Sequence, residues 1–142
     1  IIANLKRAGI TKIALATGYK AQSFRDVLGD GKHLGVEIQH IEENEPLGSG
    51  GAIRFVTDQC SEYSRAPFVV ATADVLNDVD LESTLQFHQQ KKAAATIVCA
   101  RVENPEGLGI CEINDDGRVE KFWEKPQPHQ TSSRWANIAL WI

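Results

Sequence analysis

"VEIQHIEENEPLGSGGAI", residues 36 to 53, runs from a stretch alternating apolar and polar into a glycine-rich turn behind Pro46, and then into a helical pattern continued by Val56 and Cys60. The period of two predicts a strand over 36–41, and Ser49 is placed to cap the helix that follows. Strand, turn and helix in that order suit an open α/β sheet, in which ligands sit at the carboxyl ends of strands. The turn itself has two readings. It is either a capped entry into a helix or a surface where a phosphate or a base approaches the backbone, and it matches neither GxxxxGK[ST] nor GxGxxG.

The alternation continues on both sides. Upstream, "IIANLKRAGI" reads as a helix stopped by Gly9, "KIALAT" (12–17) as a strand, and "KAQSFRDVL" (20–28) as a helix with Ala21, Phe24, Val27 and Leu28 on its apolar side. Downstream, "PFVVATADV" (67–75) is an apolar run predicting a strand covered on both faces and ending at Asp74. A helix over 80–92, capped by Asp80, and a buried strand over 94–102 follow. "DDG" between "LGICEIND" and "RVEKFWE" predicts a hairpin, and "WANIALWI" is a last strand. The expected fold is α/β: a Rossmann-like mixed, mainly parallel sheet with helices on both faces and a C-terminal hairpin-containing part. One domain over 1–142 is expected, cut within its elements at both ends and so the middle of a longer protein.

The 142 residues are 42% hydrophobic and 24% charged, with a formal charge of −4. That composition is globular, and the acidic balance argues against a nucleic-acid footprint. No apolar run reaches the ~18 residues of a membrane span, and a cytoplasmic location is expected. Cys60, Cys99 and Cys111 lack a CxxC pattern and read as buried reduced thiols. His33, His40, His88 and His129 show no metal spacing, and the three tryptophans fall in strand patterns.

Two further features carry chemistry. Asp74 ends an apolar strand, where a carboxylate can hold Mg²⁺ or, like Asp78, cap a turn. Glu124 and Lys125, before Pro126, present an acceptor and a cation at a strand end, either for a ligand or as a solvated pair.

In order along the chain, "PLGSGGAI" (46–53), "ADVL" with Ala73 and Asp74, "FH" at Phe87 and His88, "LG" at Leu108 and Gly109, "EKP" (124–126) and "NIAL" (137–140) resemble the sugar-phosphate nucleotidyltransferase family. The resemblance implies a glycosyltransferase-A-like nucleotidyltransferase fold and a reaction: a sugar 1-phosphate attacks the α-phosphorus of a nucleoside triphosphate, giving a nucleotide sugar and pyrophosphate. It makes Asp74 the catalytic Mg²⁺ ligand. It assigns Glu43, Pro46, Gly48 and Ser49 to the nucleotide, and Gly109, Glu124, Lys125 and Asn137 to the sugar phosphate. The wording of the loop is most like the guanylyl-transferring members, which favours GTP with mannose or heptose 1-phosphate; a homo-oligomer is compatible with it.

There are departures from the family pattern. Ser49 replaces Thr, Ala73 and Ala139 replace Gly, and Leu108 replaces Tyr, while the triphosphate loop and the second metal carboxylate lie outside the sequence. This chain alone is therefore expected to turn over poorly. The alternative is a catalytically silent homologue that binds a nucleotide sugar.

Overall fold

A computed structural model describes residues 1–142, the side chain of Ser64 left aside. The chain divides into two compact units, Ile1–Phe68 with Leu76–Leu85, and Val69–Val75 with Gln86–Ile142.

The first unit carries α1 (Ile2–Arg7), β1 (Lys12–Thr17), α2 (Ala21–Leu28), β2 (Glu37–Glu42) and α3 (Gly48–Gln59). β1 and β2 pair in parallel from Lys12 opposite Glu37 to Thr17 opposite Glu42, so both strands end at the same edge. Val36, Ile38, Ile41, Ala21 and Cys60 are buried in this unit and form its core. The apolar side expected of α2 is turned by about one position. Ala21 is buried and Arg25 and Leu28 half-buried, whereas Phe24 and Val27 are exposed. Arg25 is drawn inward because its guanidinium meets Glu42 at the end of β2, at 3.0 Å.

Ser49 does not cap α3. The helix starts at Gly48, its flanking residue is Leu47, and no side chain caps it. Gly48 has φ of +68°, a left-handed conformation that L residues rarely adopt. That early turn of the backbone draws Ser49 into the first helical turn, past the position from which a hydroxyl can cap.

The second unit is built on β3 (Val70–Ala71), β4 (Ile97–Arg101), β5 (Gly109–Ile113), β6 (Val119–Glu124) and β7 (Trp135–Trp141), all paired antiparallel. β7 is the hub. β4 runs along it, β3 joins it at Leu140 and Trp141, and β5 joins it at Trp135 and Ala136. Ile110, Cys111, Ala136 and Leu140 are buried on these strands. The expected hairpin is present: Gly117 closes the turn, and the Asn114 side chain accepts from the N–H groups of Asp116 and Arg118.

The mixed α/β class holds, but the parallel pairing is carried by β1 and β2, and the second unit contributes the antiparallel share. The long strand expected over 67–75 contracts to Val70–Ala71, and its residues are only half-covered. Its pairing with β7 stops where Ala139 turns left-handed, with φ of +57°. One further bond, from the Thr72 N–H to the Ala139 carbonyl, ends the contact at 3.2 Å. β4 is likewise shorter than expected, and its Ala100 and Arg101 are exposed.

α4 (Leu81–Lys91) belongs to the first unit up to Leu85 and to the second from Gln86. Asp80 caps it as expected, accepting from the Ser83 N–H at 3.1 Å and the Ser83 hydroxyl at 2.6 Å. His88 is buried and its Nδ1 bonds the Thr96 hydroxyl, so it packs. Cys60 and Cys111 are buried thiols, while Cys99 is only half-buried, and all three are free. Among the described residues, no helix is long and apolar enough to cross a membrane.

Candidate functional site

At the shared carboxyl edge of β1 and β2 lies an open cleft of about 480 Å³, lined by Gly18, Tyr19 and residues 42–46. Parallel pairing builds it: the turn leaving β1 and the turn leaving β2 emerge side by side. Glu43 and Pro46 are both in its wall. The Glu43 carboxylate accepts weakly from the Leu47 N–H, at 3.5 Å, so it retains acceptor capacity toward a ligand. Gly48 and Ser49 follow directly. A Cβ built on Gly48 meets nothing within 4 Å, so glycine is required there for its backbone angle and not for room.

Gly18, Tyr19, Asn44 and Glu45 also line the cleft and were not among the residues picked from the sequence. The signal lay in the place of "ATGYK", at the carboxyl end of a predicted strand, where ligands sit in open α/β sheets. Thr17, the last residue of β1, is buried with its hydroxyl oxygen unpartnered among the described residues.

Asp74 lies in the turn after β3, exposed. Among the described residues its carboxylate has no hydrogen-bond or ion-pair partner. That answers the capping alternative, because aspartates and asparagines that hold turns spend their oxygens on nearby N–H groups. Asp80 and Asn114 do so in this chain. No group of three or more His, Cys, Asp or Glu is gathered to hold a metal among the described residues. A single hard carboxylate suits Mg²⁺, which is commonly held by one or two protein carboxylates together with substrate phosphates.

Gly109, Glu124 and Lys125 are brought together. Gly109 pairs with Glu124 across β5 and β6, and the Lys125 N–H donates to the Leu108 carbonyl. A Cβ on Gly109 would lie 2.6 Å from the Phe122 ring and 3.5 Å from a Glu124 carboxylate oxygen, so only glycine admits this packing. Lys125 has φ of +48°, and its ammonium stands 3.9 Å from Glu124. Both side chains are about two-thirds exposed, so the pair is weak and either group can turn to a ligand.

Asn137, on β7, uses its side-chain oxygen to accept from the Ala139 N–H at 2.9 Å. This bond supports the left-handed turn at Ala139, a conformation that costs an L residue roughly 1–2 kcal/mol relative to glycine. Here three residues of β4, Ile97 to Cys99, lie opposite five of β7, Asn137 to Trp141. Among the described residues, the Asn137 amide nitrogen remains a free donor.

The segment joining β6 to β7 is tied to β5. The Glu112 carboxylate accepts from the Trp123 indole at 2.8 Å and from the Thr131 hydroxyl at 2.7 Å, and the Ser133 hydroxyl donates to the Cys111 carbonyl at 2.6 Å. The Thr131 and Trp123 donors hold the Glu112 carboxyl below its usual range. The candidate residues thus form two groups: Glu43, Pro46, Gly48 and Ser49 in the first unit, and Asp74, Gly109, Glu124, Lys125 and Asn137 in the second.

The family described as nucleotidyl transferase matches residues 1–142. A mannose-1-phosphate guanylyltransferase of Mycobacterium tuberculosis is 33% identical over 131 residues, 92% of this chain and 36% of that protein. Mannose-1-phosphate guanylyltransferase 1 of Arabidopsis thaliana is 33% identical over 138 residues, 96% of this chain and 38% of that one. The chain therefore spans about a third of the length of these curated relatives. Among solved structures, HddC from Yersinia pseudotuberculosis superposes with a TM-score of 0.79 at 25% identity, covering 99% of this chain and 59% of that one. With the family match running from the first residue to the last, the chain belongs to the nucleotidyl transferase family.

Proposed function

We propose that this chain is part of a Mg²⁺-dependent enzyme that transfers a nucleotidyl group from a nucleoside triphosphate to a sugar 1-phosphate, with GTP and mannose or heptose 1-phosphate as substrates. The observation that carries the reading is the free carboxylate of Asp74, held in a strand-end turn that it does nothing to stabilise. The names of the relatives support the same direction, as does the complex of HddC with GMP-PN.

A phosphate monoester has its second pKa near ~6, so the sugar 1-phosphate is already nucleophilic at neutral pH and needs no general base. Its oxygen bonds to the α-phosphorus while the bond to pyrophosphate breaks. The residues then serve charge and position. Lys125 would neutralise the sugar phosphate, Glu124 would accept from sugar hydroxyls, and the free amide nitrogen of Asn137 would donate to them. Glu43 would accept from the base, and guanine offers it two adjacent N–H donors. Asp74 would hold Mg²⁺, which when bound neutralises the charge of converging phosphates.

The test is to supply nucleoside triphosphates and sugar 1-phosphates in pairs to the full-length protein of which this chain is part, with and without Mg²⁺, and follow release of pyrophosphate. Formation of a nucleotide sugar with GTP preferred supports the reading. A second reading, a binding homologue without turnover, is favoured by the methyl groups of Ala73 and Ala139 where the resemblance expects glycine. Binding of nucleotide sugar with no pyrophosphate from any pair would establish it instead.

A further inference from the structure

The cleft at the β1–β2 edge contains a side chain for which hydrogen bonding to a ligand is the lesser capability. Tyr19 is 85% exposed, an aromatic ring standing in water beside a concavity of about 480 Å³. Its ring is not bare on every side, because the Lys20 ammonium lies 5.2 Å from its centroid. A cation over a ring occupies one face and leaves the other open. Lys20 itself is left-handed, with φ of +58°, so the turn from Gly18 to Lys20 is held in a conformation its sequence does not favour.

The rest of the wall has the complementary character. Glu43 and Glu45 are acceptors, Asn44 is an amide, and Glu42 is paired with Arg25. Such groups read the edge of a flat ligand by hydrogen bonds and offer nothing to its face. Among the lining residues, Tyr19 and Pro46 alone present flat apolar surface. A base bound with its edge toward the carboxylates requires a face contact as well, and stacking on an aromatic ring is the strongest available.

We propose that Tyr19 is the platform on which the nucleobase stacks, and that it sets a preference for a purine over a pyrimidine. A bicyclic base overlaps more of the ring than a monocyclic one, so the preference follows from area. The inference rests on the base-site reading given above, and it assigns the face of the base where that reading assigns the edge.

The experiment measures binding of GDP and of UDP to the full chain by calorimetry, for wild type, Tyr19→Phe, Tyr19→Ala and Glu43→Gln. The expected result is that Tyr19→Phe retains GDP affinity within about two-fold, whereas Tyr19→Ala weakens GDP by roughly ten-fold and UDP by less. The GDP-to-UDP ratio then falls, which a merely structural role would not produce. Substitution of so exposed a ring does not threaten folding. Weakened GDP binding in Glu43→Gln with unchanged binding in Tyr19→Ala would overturn the platform and leave the base site standing. Absence of GDP binding in the wild type, or indifference to both substitutions, would overturn the base-site reading and the platform with it.

Discussion

The turn that carries Asp74 and the start of α4 each present an aspartate where an element begins or ends, and the two carboxylates are put to opposite uses. Asp80 spends both oxygens on Ser83 and holds the first turn of a helix. Asp74 spends neither on its surroundings. The first arrangement serves stability, and its loss is felt in folding. The second leaves a charge in water with no structural return, which is what the proposed role in holding Mg²⁺ requires of it.

The most severe way to break this contrast is Asp74→Asn. In the full-length protein it should lower nucleotidyl transfer by roughly a hundred-fold or more and leave Tm within about 2 °C, since no native contact is removed. Pyrophosphate release and thermal melting of the same preparation check the two halves. A melt lowered as much as the activity would show that Asp74 is structural after all.

Asp80→Ala should do the reverse, lowering Tm by a few degrees with turnover at saturating substrate unchanged. This effect carries a pH signature. The hydrogen bonds from Ser83 hold the Asp80 carboxyl below its ordinary value of 3.8. A depressed folded-state pKa means that the stabilisation is complete above that value and is lost as pH falls through the lower, folded one. The gap in stability between wild type and Asp80→Ala is thus expected to be full at pH 6 and to shrink on acidification below about pH 4. Denaturant melts at several pH values measure it. The smallest effect sharpens the comparison: Ser49→Ala should shift Tm by no more than about 1–2 °C, because Ser49 caps nothing, whereas a true capping serine would cost several degrees.

The elements were legible where the physics is local. β1, α2, β2, α4 and the hairpin follow from periodicity, from Asp80 as a cap and from Gly117 in a turn, and all lie close to where those signals place them. What was not legible depends on partners distant in sequence. The run "PFVVATADV" has the composition of a long covered strand, but Ala139, far downstream, decides that only Val70 and Ala71 pair. The face of α2 was misjudged because Arg25 answers to Glu42, and Ser49 lost its cap to the backbone of Gly48. Asp74, Glu124 and Lys125 could be picked out as strand-end charges, and the structure adds that their ionic groups are free or weakly held. Tyr19 escaped notice because nothing in "TGYK" alone tells an exposed aromatic from a buried one. Its accessibility is a property of the folded edge.

β7 has a consequence for the order in which the protein is made. It comes after every strand it pairs with, and it joins β3, β4 and β5. During synthesis β3 and β4 have no described partner strand, and β5 has β6 on one side only, until β7 has emerged. Closing them late over a long sequence separation is slow, and open edges in the interval invite pairing with other chains. Once closed, the amide protons of β7 should be among the slowest of the second unit to exchange, because opening this strand undoes three ladders at once.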